Sequence, residues 1–366
     1  MKINLYGNLL GIDGYSNHTR QLFNSLYELN PDIKLEVGLP PSWMQVVNDA
    51  ELNAITKEPR KADVAISISQ PQFWRLHMSN CEKFVGFCIF EGSHIPKYWI
   101  EYLLDERVDQ IWVPSQHTAN AIINTVDDVN IFKIEDVVNK IKIVPHGIDL
   151  NIFKPQEVKN DKFTFVVCKG WRGGMEDRGG VGYALKAFSE EFRKDENVQL
   201  IVKLNPSYLN PSMLKQKLDE LKLSIDRPEI KINIDAVAYK KLPDFYKQGD
   251  IFVSSTRADA FGLTTLEAMG CGLPVIQTSF GGQTDFVNEG NGWLLDYKLE
   301  EVKEDLQYEG IQWATPDIPY LRKLMRYCYD NKEEVKEKGK QAIEDSQNWT
   351  WSSSAQKALA FLKEIN

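Results

Sequence analysis

The 366-residue chain is poor in histidine, with five, and its five cysteines (Cys81, Cys88, Cys168, Cys271 and Cys328) show no metal-ligand spacing. An odd number without paired spacing excludes a disulfide scaffold. The cysteines read as reduced core residues, and the expected compartment is the cytoplasm. No apolar run is long enough to cross a bilayer. The opening Met1-Lys-Ile-Asn-Leu-Tyr reads as a strand and not as a signal peptide. Positive charge is short as well: 43 Lys and Arg against 52 Asp and Glu give a net charge of -9. That balance excludes nucleic acid as the main partner, since a phosphate backbone demands clustered cations. It gives no indication of membrane contact, although a local basic patch is compatible with it. There is no repeat and no low-complexity segment. There is also no G-x-G-x-x-G run, which disfavours a dinucleotide oxidoreductase, and no Asp-x-Asp cluster placed like a metal-binding motif.

What is present is ordinary for a globular α/β protein, at 43% hydrophobic and 26% charged residues, in a length that suggests two domains. Short apolar strands alternate with helical stretches, which predicts mostly parallel sheets covered on both faces. Strands are expected at 3–6, 33–37, 62–69, 84–90 and 110–115, with a helix from Gly11-Ile-Asp-Gly-Tyr-Ser to Tyr27 and others at 99–104 and from His117. A boundary is placed near Phe153-Lys-Pro155, giving domains 1–154 and 155–350, followed by a terminal segment 351–366. The second αβ series opens with a strand from Phe163 and continues with a helix at 181–192, strands at 198–202 and 230–234, and a helix at 242–248.

Chemistry concentrates in Arg257-Ala-Asp-Ala-Phe-Gly-Leu-Thr-Thr-Leu-Glu-Ala-Met-Gly-Cys-Gly-Leu-Pro274. A strand precedes it and Val275-Ile-Gln-Thr follows as another. The helix between them is expected to begin near Leu263 or Thr264 and to stop at Gly270, Gly272 and Pro274. Asp259 lies on the loop entering this helix, and Glu267 lies about one turn inside it. Gly262 permits close backbone approach, and the first-turn N–H groups have no intrahelical partner. Two acceptors and a fan of backbone donors suit a polyhydroxylated, phosphorylated ligand.

This stretch resembles the E-x7-E signature of retaining GT-B glycosyltransferases, most closely glycosyltransferase family 4. The matching residues are Asp259-x7-Glu267, Ala-Met-Gly-Cys-Gly-Leu-Pro-Val-Ile, and the Gly281-Gly282 turn. Asp259 stands where the family carries its first Glu, one methylene longer. The resemblance covers nearly the whole chain and is strongest at 110–153 and 245–295. It implies a GT-B architecture, in which two Rossmann-like doubly wound domains face a cleft. The 1–154 domain would take the acceptor, the 155–350 domain the nucleotide sugar, and the helix in 351–366 would cross back to the N-terminal domain. It further implies that Glu267 holds the ribose hydroxyls. Asp259 and the Phe261, Gly262, Leu263 and Thr264 segment would hold the donor sugar.

A sugar diphosphate needs cations or a metal to offset its charge. Lys169-Gly-Trp-Arg-Gly-Gly-Met-Glu-Asp-Arg-Gly-Gly follows the first strand of the second series. By the resemblance Arg172 and Arg178 reach the diphosphate, with Lys169 as a substitute. Lys203, at the end of the next strand, is a further donor-site candidate, with a simple solvent-reaching role as the alternative. In the first half, the Gly-rich turn with Gly14 and Tyr15 is a candidate phosphate or acceptor loop. His18 is expected to be structural, as are His146 and Asp149. Glu91 and His94 follow the fourth strand and are held together as cleft candidates. Pro114-Ser115 is placed at the cleft rim. Ser67 and Ser69 stand where some relatives carry His.

The sequence thus points to a retaining, metal-independent hexosyltransferase with no cofactor. Its donor would be a UDP- or GDP-sugar and its acceptor a glycan, a lipid-linked sugar or a protein. Two other readings stay open: a glycoside phosphorylase on the same frame, and a non-catalytic nucleotide-sugar binder.

Overall fold

The computed structural model describes residues 1–11, 13–38, 46–155, 161–209, 211–303 and 308–365. The chain divides into two compact units, one of Met1–Gly147, Lys303–Ile311 and Trp349–Asn366, the other of Ile148–Val302 and Gln312–Asn348.

The first unit contains β1 (Ile3–Tyr6), α1 (Gly14–Leu29), β2 (Ile33–Glu36), α2 (Asp49–Ile55), β3 (Ala62–Ile68), β4 (Cys81–Phe87), α3 (Ile100–Leu103), β5 (Gln110–Val113), α4 (Gln116–Val129), α5 (Ile134–Val138) and β6 (Ile141–Ile143). Its sheet is parallel, in the order β2-β1-β3-β4-β5-β6. Strands covered on both faces are near-continuous apolar runs; Gln110-Ile-Trp-Val is buried throughout, its polar Gln110 included. Helix α1 starts where Asp13 accepts the Ser16 N–H at 2.9 Å, a side-chain cap for an otherwise unpaired donor.

The second unit contains β7 (Phe163–Lys169), α6 (Val181–Glu191), β8 (Val198–Leu204), α7 (Pro211–Glu220), β9 (Ile230–Asn233), α8 (Pro243–Tyr246), β10 (Ile251–Ser254), α9 (Leu263–Gly270), β11 (Val275–Thr278), β12 (Gly292–Leu295), β13 (Tyr297–Glu301), β14 (Gln312–Pro316), α10 (Ile318–Asp330) and α11 (Lys332–Ser346). Six strands pair in parallel, in the order β12-β11-β10-β7-β8-β9, and β13 and β14 form an antiparallel pair. A core of Phe163, Phe165, Phe188 and Phe192 fills the space between this sheet and α6 and α10.

The terminal helix α12 (Trp351–Ile365) belongs to the first unit. The Trp351 ring stacks near His146 and His18, which stack on each other at 4.2 Å between centroids. The Gln110 side-chain amide donates to the Phe361 carbonyl at 2.9 Å. Gly147 marks the closest approach, since a Cβ there would lie 2.3 Å from the Thr350 carbonyl carbon.

Two differences from the sequence reading stand out. The expected boundary at 154/155 and the assignment of 303–311 to the second domain are both corrected. The first unit ends at Gly147, and it also takes in Lys303–Ile311. Ile311 is buried there against Gly92, and the Tyr308 hydroxyl donates to Glu91 Oε1 at 3.0 Å. The stretch between β12 and α12, for which the sequence offered no pattern, holds the β13–β14 pair and helices α10 and α11.

Candidate active site

In an open parallel sheet, ligands bind outside the carboxyl ends of strands where the order reverses. In the second unit that point lies between β7 and β10, since β8 and β9 extend one way from β7 and β11 and β12 the other way from β10. The loops leaving β7 and β10 carry the Gly- and Arg-rich run and the Asp259–Glu267 stretch. Topology therefore brings together two motifs about ninety residues apart in sequence.

The contact is direct. Lys169 ends β7 and its Nζ donates to Asp259 Oδ2 at 2.9 Å. Asp259 Oδ1 accepts the N–H groups of Phe261 at 3.2 Å and Gly262 at 2.8 Å. Burial pushes the Asp259 carboxyl up, but the Lys169 ion pair, the charge of Arg178 and the Phe261 N–H outweigh it and hold the group at about 2. Two of the amides expected to face a sugar are thus engaged by Asp259 in this structure. Gly262 takes φ +95, and a Cβ there would lie 2.7 Å from the Gln283 Cβ, so this position requires glycine. Leu263 and Thr264 open the first turn of α9, and Thr264 Oγ1 is buried without a hydrogen-bond partner among the described residues.

Glu267 is 3% exposed. Its Oε2 accepts the Tyr246 hydroxyl at 2.6 Å. Burial pushes its carboxyl up to about 7, opposed by the Tyr246 hydrogen bond and the Lys169 charge. The two acids thus differ at neutral pH: Asp259 is fully ionised and Glu267 is poised to titrate.

The loop after β7 is built around a buried acid. Asp177 accepts the Arg172 N–H and the Gly179 N–H, each at 2.9 Å. Burial raises its carboxyl above the usual range. Arg257, 2% exposed, holds the same loop from β10's side. Its guanidinium donates to the Glu176 carbonyl and, at 3.1 Å, to Glu176 Oε2, and its N–H donates to the Arg178 carbonyl at 2.9 Å. Clamped by its backbone, the loop leaves the Arg172 and Arg178 side chains exposed. The Arg172 guanidinium lies 5.8 Å from the Tyr208 ring centre, and Arg178 acts electrostatically on Asp259. Lys203 is only 5% exposed, and its Nζ donates to the Leu204 carbonyl at 2.7 Å, which turns it back onto its own strand end.

In the first unit the order reverses between β1 and β3. Gly14 begins α1 there, and the Tyr15 hydroxyl donates to the Ile89 carbonyl at 3.1 Å. The Glu91 carbonyl accepts from His117 Nε2 at 2.8 Å, beside the first turn of α4. The His94 Nε2 is 3.3 Å from Asp128, in the last turn of the same helix. Eleven helical residues, roughly 16 Å, separate the two anchor points. The two cleft candidates, three apart in sequence, are thus anchored at different points of α4, Glu91 through its carbonyl and His94 through its ring. Ser115 is the N-cap of α4 and accepts the Thr118 N–H at 3.2 Å. Ser67 bonds both Ser69 and His77 at 2.9 Å.

Sequence reasoning missed Tyr246, Asp177 and Arg257 as parts of this site. Tyr246 stands 21 positions from Glu267, at no spacing that signals contact. Among the described residues, no three His, Cys, Asp or Glu side chains converge as metal ligands.

Two parallel doubly wound sheets define a GT-B glycosyltransferase frame. Residues 151–308, less than half of the chain, match the family model "Glycosyl transferases group 1". A probable sucrose-phosphate synthase of Thermosipho melanesiensis is 23% identical over 201 residues, 53% of this chain and 46% of that protein. The chain therefore matches less than half of this relative's length. Among solved structures, the sucrose-phosphate synthase of Thermosynechococcus elongatus superposes with a TM-score of 0.70 at 16% identity, covering 100% of this chain and 99% of the other. HepE of Anabaena, solved in complex with UDP, superposes with a TM-score of 0.69 at 15% identity, covering 100% of both chains. At these identities the structural likeness speaks for the fold.

Proposed function

We propose that the protein is a retaining, metal-independent glycosyltransferase that moves a hexose-type sugar from a nucleoside-diphosphate sugar to a glycan, lipid-linked or protein acceptor. The observation that carries this reading is the convergence of Lys169, Asp259 and Glu267 at the switch point of the second sheet, beside a clamped loop whose arginines are exposed. Glu267, once ionised, offers a carboxylate to the vicinal hydroxyls of a ribose. Arg178, Arg172 and Lys169 are cations for the diphosphate, whose charge grows as the bond from the sugar's anomeric carbon to phosphate oxygen breaks. In the proposed route the acceptor oxygen bonds to that carbon on the same face, and its proton passes to a donor phosphate oxygen. Fixed cations then serve the leaving group without a dedicated base. The acceptor side is assigned to the first unit, with Gly14, Tyr15 and Glu91 as its candidates.

HepE was solved with UDP and with UDP-glucose, so a uridine donor is the first to test. The experiment follows sugar release or transfer from UDP-glucose by NMR in excess chelator. The reading predicts a product that keeps the donor's anomeric configuration, with no requirement for added metal. Arg178→Ala and Lys169→Ala are each expected to lower kcat/KM by roughly a hundredfold. An inverted product, or turnover that appears only with a divalent ion, contradicts it. Turnover that needs inorganic phosphate favours the phosphorylase reading instead.

A further inference from the structure

The donor-site reading leaves one contact unassigned. Tyr246 is fully buried and its hydroxyl meets Glu267 Oε2 at 2.6 Å, a short charge-assisted geometry. The ring has no freedom to leave. It packs against Phe245, Phe252 and Phe153, with centroids 5.6, 5.9 and 6.1 Å away. Pro243 begins its short helix and fixes the backbone that carries it. A hydroxyl held this firmly beside a buried carboxylate does more than fill space. A carboxylate that must meet two hydroxyls needs a defined plane, and one oxygen pinned by a rigid donor supplies it.

Resting on the ribose assignment of Glu267, we propose that Tyr246 is the positioning residue of the nucleotide-binding carboxylate: its hydroxyl pins Oε2 and leaves Oε1 for the ligand's vicinal diol. Among the described residues Oε1 has no hydrogen-bond partner of its own.

Protonation follows from the same surroundings. Facing Glu267 are the Tyr246 hydroxyl from α8, Cys168 and Lys169 from the end of β7, and Cys271 from the turn after α9. Lys203 of β8 reaches the group only through Cys168. Of the other elements packed on α9, β11 contributes the neutral Gln277, and the 3₁₀ turn Gly282–Asp285 contributes Asp285. Helix α11 turns Gly339 and Ile343 towards Gly272, while Lys336 and Lys340 pair with Glu333 and Glu337 on its own surface. Among the described residues, the one full charge acting favourably on Glu267 is therefore Lys169, which is shared with Asp259. Loss of the Tyr246 donor shifts the balance towards the protonated acid. The ionised form accepts diol hydroxyls more strongly than the protonated acid, so binding favours loss of the proton.

The test is calorimetric titration of the full chain with UDP from about pH 6 to 9, in two buffers of different ionisation heat. Wild type is expected to release about half a proton at pH 7 and to bind roughly tenfold more weakly at pH 6 than at pH 8. In Tyr246→Phe the midpoint of this profile moves to higher pH, so the affinity loss is largest at pH 6–7 and narrows as pH rises. Parallel profiles for variant and wild type would mean a merely structural tyrosine and overturn the proposal. If Tyr246→Phe does not fold, as judged by its melting curve, a structure of the wild-type complex with UDP decides: a Glu267 carboxylate that leaves the Tyr246 hydroxyl to meet the ribose overturns it. Glu267→Gln, permanently neutral, is expected to bind weakly and independently of pH. Absence of UDP binding by wild type at every pH defeats the uridine donor-site reading itself, a result distinct from binding with an unshifted profile.

Discussion

Asp259 and Glu267 act on stability in opposite directions. Asp259 gives one oxygen to its own turn and the other to Lys169. Its folded-state pKa, about 2, lies below the usual carboxylate value, so it stabilises the fold above about pH 4, and that contribution is lost as pH falls towards 2. Glu267 is raised to about 7, so its folded form holds a proton that the unfolded chain gives up near pH 4. It therefore costs stability progressively as pH rises from about 4 to 7 and fully above that range. Glu267→Gln is expected to stabilise the ligand-free protein at pH 8 by on the order of 1–3 kcal/mol and so to raise its melting temperature, with the gain shrinking towards pH 5. Asp259→Ala is expected to lower stability by about 1–3 kcal/mol at either pH, because it leaves the Lys169 ammonium, 8% exposed, without its partner. Paired thermal melts of the two variants at both pH values check the opposite signs. Charge type and spacing made both acids visible in the sequence. Their different states were not visible, because these depend on Tyr246 and Lys169, which only the folded sheet brings near.

At the scale of elements, the loop between β7 and α6 shows how much rests on contacts remote in sequence. Its glycines and arginines were legible as a candidate ligand loop, since a Gly-rich run after a strand of a parallel sheet stands out in sequence. Its internal frame was not: Asp177 reads as one more surface acid, and Arg257 as one more cation, until each is seen buried against the loop's backbone. Gly180 ends the loop at φ +69, and a Cβ there would lie 1.7 Å from the Ser255 carbonyl oxygen. Gly180→Ala is therefore expected to destabilise by well over about 1 kcal/mol, the usual loss for a side chain forced into this region. A shift of the urea midpoint measures it. In the first unit the α1–α12 contact depends on a buried histidine. The ring nitrogens of His18 have no hydrogen-bond partner among the described residues, and burial together with neighbouring His146 holds its pKa well below the usual value. Such a group resists protonation when folded and accepts a proton when unfolded. Stability therefore falls with pH below about 6.5, by up to about 1.4 kcal/mol per unit. The difference in melting temperature between wild type and His18→Phe from pH 7 to 5 reports this contribution, because the opposite contribution of Glu267 is common to both proteins. The sequence showed His18 as structural but not its stacking partners, which come from residues 146 and 351.

For the whole chain, strand alternation was enough to read two doubly wound sheets, because parallel strands buried on both faces leave a plain apolar signature. Val198–Leu204 and Ile251–Ser254 are such runs. The β13–β14 pair escaped because Lys298–Glu301 is polar and largely exposed, so no alternation marks it. Nor could sequence order reveal that Lys303–Ile311 is grouped with the first unit, where Ile311 closes over Gly92. What unites sheet order and motif is the switch point, which brings Lys169 to Asp259 and makes the second sheet the place to look for a bound nucleotide sugar.

The most direct test of that account is a metal-free thermal-shift comparison of wild type and Glu267→Ala with UDP and UDP-glucose. A ligand that binds only the folded state raises the melting temperature, by the equivalent of about 2.7 kcal/mol at a hundredfold excess over Kd. The account predicts a rise for wild type with both ligands and none for Glu267→Ala. An equal rise in both proteins would place the nucleotide away from Glu267 and contradict it.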